Sequence, residues 1–233
     1  MRIAVVSDVH GNRHALEAVV RAADSEAVDA WLCLGDVVGY YYWPAECLAI
    51  LESKGAHFIA GNHERFMAAC RQDPSRLAPL TARYGHGLAE ALSTLKSAEL
   101  DRVLAWPERR RFEAGVRTLD LCHGSPWDGD AYVYPDAPVD IRTRLMAGDA
   151  DVLLFGHTHY QTCWSDDGRM AVNPGSVGQP RDRRPGACWA LLDLTRGEVS
   201  LRREEYDVTP VLAECQRRDP GIPYLQDVLT RTQ

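Results

Sequence analysis

Five short apolar runs in this 233-residue chain end in a small or turn-forming residue, and a side chain able to bind a metal follows each. Ile3–Ser7 leads to Asp8 and His10. Ala30–Gly35 leads to Asp36, and His57–Gly61 to Asn62 and His63. Arg117–Cys122 leads to His123, and Asp151–Gly156 to His157 and His159. If each run is a strand, all eight polar groups leave its carboxyl end, the rim where open α/β sheets bind ligands. The glycines let the backbone turn sharply and approach that rim. Two Asp, one Asn and five His, with no thiolate, suit Mn, Fe, Zn, Ni or Co. So many imidazoles argue against Mg or Ca, which prefer oxygen shells. The number of donors suggests two divalent transition-metal ions, each keeping an open or water-filled position. Two-metal hydrolytic sites share a carboxylate in this way and activate a bridging water.

Charge sets the substrate class. The chain carries a formal net charge of −7, so a bulk nucleic-acid binder relying on a basic surface is not expected. Two divalent ions would bring four positive charges, and two carboxylates and a hydroxide would remove three. A locally positive site on an acidic protein fits a phosphate dianion, provided the ions are counted.

The elements that must position these groups can be read in outline. Ile3–Val6, Ala30–Leu34 and Ala56–Ile59 read as strands, with helices over His14–Ala23 and Pro44–Ser53. A helical region runs in pieces from Glu64 to about Leu104, broken near Lys96–Ser97. After Pro107 the texture changes to strands at Arg111–Glu113, Val116–Leu121, Val152–Phe155, Gln161–Trp164, Met170–Val172, Cys188–Leu194 and Glu198–Arg203. Turns at Asp166–Gly168 and Thr195–Gly197 predict hairpins. Ile141–Met146 reads as a short helix, and Val211–Arg217 as the helix that closes the chain. This order predicts one mixed or parallel sheet and one largely antiparallel sheet, with helices outside. No apolar run approaches the ~18 residues of a membrane span. The opening MRIAVVSDVHG reads as a first strand rather than an export signal. Seven scattered Cys without a CxxC pair read as reduced thiols, Cys33 and Cys122 as core residues, and the expected location is cytoplasmic.

The motifs in order are D-x-H (Asp8, His10), G-D (Gly35, Asp36), G-N-H-E (Gly61–Glu64), H-G (His123, Gly124) and G-H-T-H (Gly156–His159). Together they resemble the calcineurin-like metallophosphoesterases. Ser7–Asn12 and the tail Asn173–Arg181 are similar to the small bacterial and archaeal phosphoesterases of that superfamily. The resemblance implies an α/β fold, a four-layer αββα sandwich of two mixed β-sheets flanked by helices, in one domain over residues 1–233. It implies a metal-dependent phosphoester hydrolase with a binuclear centre and a metal-bridging hydroxide. Asp8, His10 and His159 would hold one ion, Asn62, His123 and His157 the other, and Asp36 would bridge. His63 would contact phosphate and protonate the leaving oxygen. Two departures stand out. Gly35–Tyr41 lacks the Asp and Arg that the Ser/Thr protein phosphatases place after G-D-x-V. The small phosphoesterases usually continue GYGP after G-D-x-V, whereas Gly39–Pro44 here reads GYYYWP, so that two bulky aromatics replace small residues close to the bridging Asp.

Asn12, Tyr40 and Arg181 are the candidate substrate contacts. An amide in the first loop could touch substrate or cap a helix. The aromatic run Tyr40–Trp43 could stack a base or aryl group, or pack as a loop. Arg181, with Arg183 and Arg184, could grip phosphate bidentately or remain solvated. Glu64 could hydrogen-bond near His63. Ser176 lacks a nucleophile elbow. The expected partner is a small phosphorylated substrate, with a phosphodiester acting as the main rival to a monoester. A non-catalytic metal-binding scaffold and a metallohydrolase of non-phosphate bonds are the remaining alternatives.

Overall fold

In the computed structural model, which describes residues 1–232, the chain opens with β1 (Arg2–Val6), α1 (Arg13–Ser25), β2 (Ala30–Cys33), α2 (Pro44–Ser53) and β3 (His57–Phe58). A helical stretch follows: α3 (Asn62–Gln72), a 3-10 turn at Pro74–Arg76, α4 (Leu77–Tyr84), α5 (Gly87–Thr94) and α6 (Ser97–Leu104). The second half holds β4 (Arg109–Ala114), β5 (Arg117–Cys122), α7 (Val139–Leu145), β6 (Val152–Leu154), β7 (Gln161–Asp166) and β8 (Arg169–Pro174). It closes with β9 (Ala187–Asp193), β10 (Glu198–Glu204), α8 (Thr209–Arg218) and α9 (Tyr224–Thr230).

The strands form two five-stranded sheets, ordered β10-β9-β1-β2-β3 and β4-β5-β6-β8-β7. In the first, β1, β2 and β3 run parallel, and β9 and β10 add antiparallel. The second departs from the expected antiparallel pattern. Hairpins make its edges, β4 with β5 and β7 with β8, but β5, β6 and β8 run parallel at its centre. Local turns announce hairpins. The crossover that carries the chain through α7 leaves no comparable local signal, so both sheets are mixed.

The sheets face each other. Alternate residues Ile3 and Val5 of β1 meet Leu119, Leu121, Val152 and Leu154 of the second sheet. Ala4 and Val6 point the other way, onto Leu16 and Val19 of α1 and Leu51 of α2. A strand buried on both faces reads as a continuous apolar run, which is why RIAVV shows no alternation. On the far side, Leu153 and Phe155 pack with Leu145 of α7. The result is an αββα sandwich. Each fully buried aliphatic side chain contributes about 1.5–3 kcal/mol.

The chain does not close with the helix read at Val211–Arg217. α9 follows α8 and buries Leu225, Val228 and Leu229. Seven residues are too few for an isolated helix. This one exists because those three side chains pack with Val211, Cys215, Tyr41 and Tyr42.

Candidate metal centre

Every metal-capable side chain singled out above lies at the carboxyl end of a parallel strand. Asp8 and His10 follow β1, Asp36 follows β2, and Asn62 and His63 open α3 just after β3. His123 follows β5, and His157 and His159 follow β6. The two sheets bring these ends to one rim, and backbone hydrogen bonds stitch the loops together. Asp8 N–H donates to the Gly35 carbonyl at 3.1 Å, His10 N–H to Asp36 at 2.9 Å and Gly156 N–H to His123 at 2.7 Å. Asp8, His10, Asp36, His157 and His159 all have positive φ, between 52° and 68°. Left-handed backbone at residues other than glycine costs of order 1–3 kcal/mol each and persists only where the surroundings enforce it.

The hydrogen bonds fix which ring nitrogens carry lone pairs. A carbonyl only accepts, so a ring nitrogen bonded to one must carry the hydrogen. Nδ1 of His10 donates to the Val38 carbonyl at 3.1 Å, Nδ1 of His123 to Leu34 at 2.7 Å and Nδ1 of His159 to Gln179 at 2.6 Å. Asp8 Oδ2 accepts from Ser7 Oγ at 2.6 Å and from His157 N–H at 3.1 Å. Its Oδ1 is buried without a hydrogen-bond partner. That oxygen lies 3.2 Å from His159 Nε2, which itself lies 3.2 Å from His10 Nε2. Three lone-pair donors thus converge with no hydrogen between them. A cation at their centre satisfies all three.

A second group adjoins the first. His123 Nε2 lies 3.1 Å from Asn62 Oδ1, 3.2 Å from His157 Nδ1 and 3.4 Å from Asp36 Oδ2. Asp36 Oδ2 is also 3.7 Å from His10 Nε2, so one carboxylate oxygen stands between both groups. Its Oδ1 accepts from His63 N–H at 2.8 Å. A Cβ on Gly61 would fall 2.2 Å from that Oδ1, so only glycine fits there.

Titration follows the same logic. Burial alone would raise the two carboxyls, but neighbouring imidazoles hold both Asp8 and Asp36 well below the usual range. Burial would lower His123, yet Asp36 and Asp8 push it up to about 10. Burial lowers His10, His157 and His159, with His157 down to about 4.

His63 is buried, and burial takes it down to about 4. Aromatic rings rather than a carboxylate hold it. Its centroid lies 4.8 Å from His10, 4.9 Å from Tyr40, 5.3 Å from Tyr84 and 5.4 Å from Phe66. Gly39, at φ 95°, presses on its other side, where a Cβ would sit 2.1 Å from Nδ1. This cage answers the missing orienting Asp. Glu64 serves the backbone. Its carboxylate accepts from the N–H groups of Asp36, Val37, Val38 and Gly61 at 2.8–3.3 Å, which shapes the loop that presents Asp36.

The substrate-contact candidates divide. Asn12 is fully buried, and its amide is committed within the protein. Oδ1 caps α1 at Ala15 N–H (3.1 Å), and Nδ2 donates to the Gly178 carbonyl (2.9 Å) and Tyr206 (3.0 Å). A capping role replaces the substrate role because no polar atom is left free. Tyr40 and Arg181 do line the cleft, with Asp36, Asn62, His63, His157 and His159. Arg181 donates to Tyr40 Oη at 3.0 Å and Gln179 Oε1 at 3.2 Å. It forms no ion pair among the described residues, and its Nε is buried without a partner. Arg183 and Arg184 are exposed and do not line the cleft. Tyr41 and Tyr42 pack inward. Two lining residues, Tyr84 and Tyr132, were not legible in the sequence. One sits in an ordinary helical stretch and the other in a long loop, and no spacing marks either.

Residues 1–197 match the calcineurin-like phosphoesterase superfamily domain. The chain belongs to that superfamily and is a metallophosphoesterase, with His and Asp groups placed to bind metal. A metallophosphoesterase of Sphaerobacter thermophilus is 29% identical, with a TM-score of 0.75 over 93% of this chain and 94% of that one. A hypothetical protein of Pyrococcus horikoshii is similar in fold, with a TM-score of 0.85 at 21% identity, covering 96% and 97%. An uncharacterized protein of Methanocaldococcus jannaschii is 26% identical over 227 residues, 88% of each chain.

Proposed function

We propose that this chain hydrolyses phosphoesters with two divalent transition-metal ions held at the strand-end rim. Asp8, His10 and His159 hold the first ion, Asn62, His123 and His157 the second, and Asp36 bridges. The observation that carries this reading is the set of lone pairs that face one another unpaired, Asp8 Oδ1, His10 Nε2 and His159 Nε2, beside a second donor group sharing Asp36. Bound there, the ions supply acidified water and positive charge for the phosphoryl oxygens.

The chain's own residues do the rest. Carbonyls of Val38, Leu34 and Gln179 keep the three imidazoles turned inward, a support that typically matters 10–100-fold. The ring nitrogens of His63 have no hydrogen-bond partner among the described residues, which leaves them free to contact phosphate. The negative charge of a bound phosphate would raise the lowered pKa of His63 toward the range in which it passes a proton to the departing oxygen. Arg181, which forms no ion pair with a carboxylate among the described residues, offers its guanidinium to the phosphate from beside Tyr40. In this reading residues 1–233 form one domain, because α8 and α9 bury their apolar faces against Tyr40–Tyr42 beside the site.

The test joins elemental analysis to turnover. Purified protein is expected to carry two transition-metal ions per chain and to cleave p-nitrophenyl phosphate, bis(p-nitrophenyl) phosphate or both. The ratio of the two rates separates monoesterase from diesterase. Metal-replete protein that binds no ion, or cleaves neither ester, overturns the reading.

A further inference from the structure

Two tyrosines carry the cleft outward. The Tyr132 ring lies 4.2 Å from that of His157, and Tyr134 stacks on Tyr132 at 6.0 Å with the planes 17° apart. They are 56% and 43% exposed. Tyr160 meets Tyr134 edge-on at 5.6 Å. Single exposed aromatic residues are common and need no explanation. This pair is different, since it is stacked, continuous with the cleft wall and displayed by a pinned loop. Val133, between the two, is buried with Ala137 in the layer beneath α7. The Asp128 carbonyl accepts from Ser125 N–H at 2.8 Å and Ala131 N–H at 3.2 Å. Asp130 pairs with Arg65, and a Cβ on Gly124 would fall 2.6 Å from the Gly129 carbonyl. The rings are thus held in place before any ligand arrives, and neither fills the core.

The cleft behind them is narrow and lined closely by side chains. The bulk of an ester whose phosphoryl group reaches the site must therefore lie across the rim. On the His157 side that rim is the tyrosine pair. Aromatic side chains stack planar bases tolerantly, through the π-face that every base has.

We propose that Tyr132 and Tyr134 form a stacking shelf that selects phosphoesters carrying a nucleobase, a specificity that rests on the phosphoesterase reading above. The sequence directs attention to Tyr40–Trp43 for this task. Tyr41 and Tyr42 are buried by the tail helices, and Tyr40 lies beneath His63 and Tyr84.

Adenosine 5′-monophosphate and ribose 5-phosphate test the shelf, because they share the scissile bond and leaving alkoxide and differ in the base. With the full chain loaded with Mn²⁺, kcat/KM is expected to favour the nucleotide roughly tenfold or more. The ratio should fall toward one in Tyr132→Ala and in Tyr134→Ala and largely survive in Tyr132→Phe. Equilibrium binding of the same two compounds should give the same ratios without turnover. A wild-type protein that treats both compounds alike in turnover and binding overturns the shelf. So does a ratio retained in both alanine variants, or a loss shared equally by the two compounds. Should the wild type cleave no phosphoester, the phosphoesterase reading fails. The binding ratio and its response to Tyr132→Ala then decide the shelf alone, selective binding lost in the variant supporting it and unselective binding overturning it.

Discussion

Two neighbouring segments are equally buried and chemically opposite. At the strand ends, Asp8, His10, Asp36, His157 and His159 hold left-handed backbone, and Asp8 Oδ1, His10 Nε2 and His159 Nε2 face one another with no hydrogen between them. A few residues beyond Asp36, Tyr41 and Tyr42 are relaxed. Tyr41 Oη donates to the Leu225 carbonyl at 3.0 Å, and Tyr42 Oη to Asp219 Oδ2 at 2.7 Å. Their rings pack among Val211, Cys215, Leu225 and Val228. Buried groups that lack partners and sit on strained backbone mark a place for a ligand. Buried groups that are fully paired mark a place that holds the fold.

Substitutions on the two sides should therefore separate chemistry from stability. The largest effect is expected at the shared carboxylate. Asp36→Asn should lower metal affinity and turnover by at least about 100-fold, read by elemental analysis and hydrolysis. Chelator treatment should silence the wild type in the same way, with recovery on adding Mn²⁺ to the wild type alone. His63→Ala should leave bound metal unchanged and reduce kcat by roughly 10²–10⁴. Gly39→Ala should act in the same direction, because its Cβ would displace the His63 ring. Loss of metal in His63→Ala would blur the line between holding ions and moving protons.

On the relaxed side, Tyr42→Ala should cost about 3–5 kcal/mol and lower Tm by roughly 6–20 °C. Turnover per folded molecule below the transition should stay at the wild-type level. A fall in turnover with an unchanged Tm would break the comparison. Tyr42→Phe keeps the ring and loses the hydroxyl. Asp219 still accepts from His86 N–H at 3.0 Å and Nδ1 at 2.7 Å, so denaturant titration should show a loss of only about 0.5–1.5 kcal/mol.

Much of the fold was legible where local chemistry suffices. The β7–β8 and β9–β10 hairpins follow from turns at Asp166–Gly168 and Thr195–Gly197. β1 and β2 follow from apolar runs bounded by polar loops. The parallel centre of the second sheet was not legible, because the pairing of β5, β6 and β8 depends on a crossover rather than a turn. α9 was missed since its few residues gain their stability from Tyr41 and Tyr42. In the site, the eight polar groups could be gathered because each follows a strand. Asn12 could not be assigned from its type, since capping and ligand contact use the same amide.

Residue type and order fixed which lone pairs exist and that they emerge at strand ends, since donor chemistry belongs to the side chain and strand direction to the local pattern. Tertiary structure alone decided which aromatic rings face water. Tyr42 is buried by a residue 177 positions away, Asp219, and its neighbours. Tyr132 is left exposed beside His157 because nothing from the tail helices covers it among the described residues. Exposure belongs to what packs against a residue, and packing partners are set by the fold rather than by the neighbours in sequence.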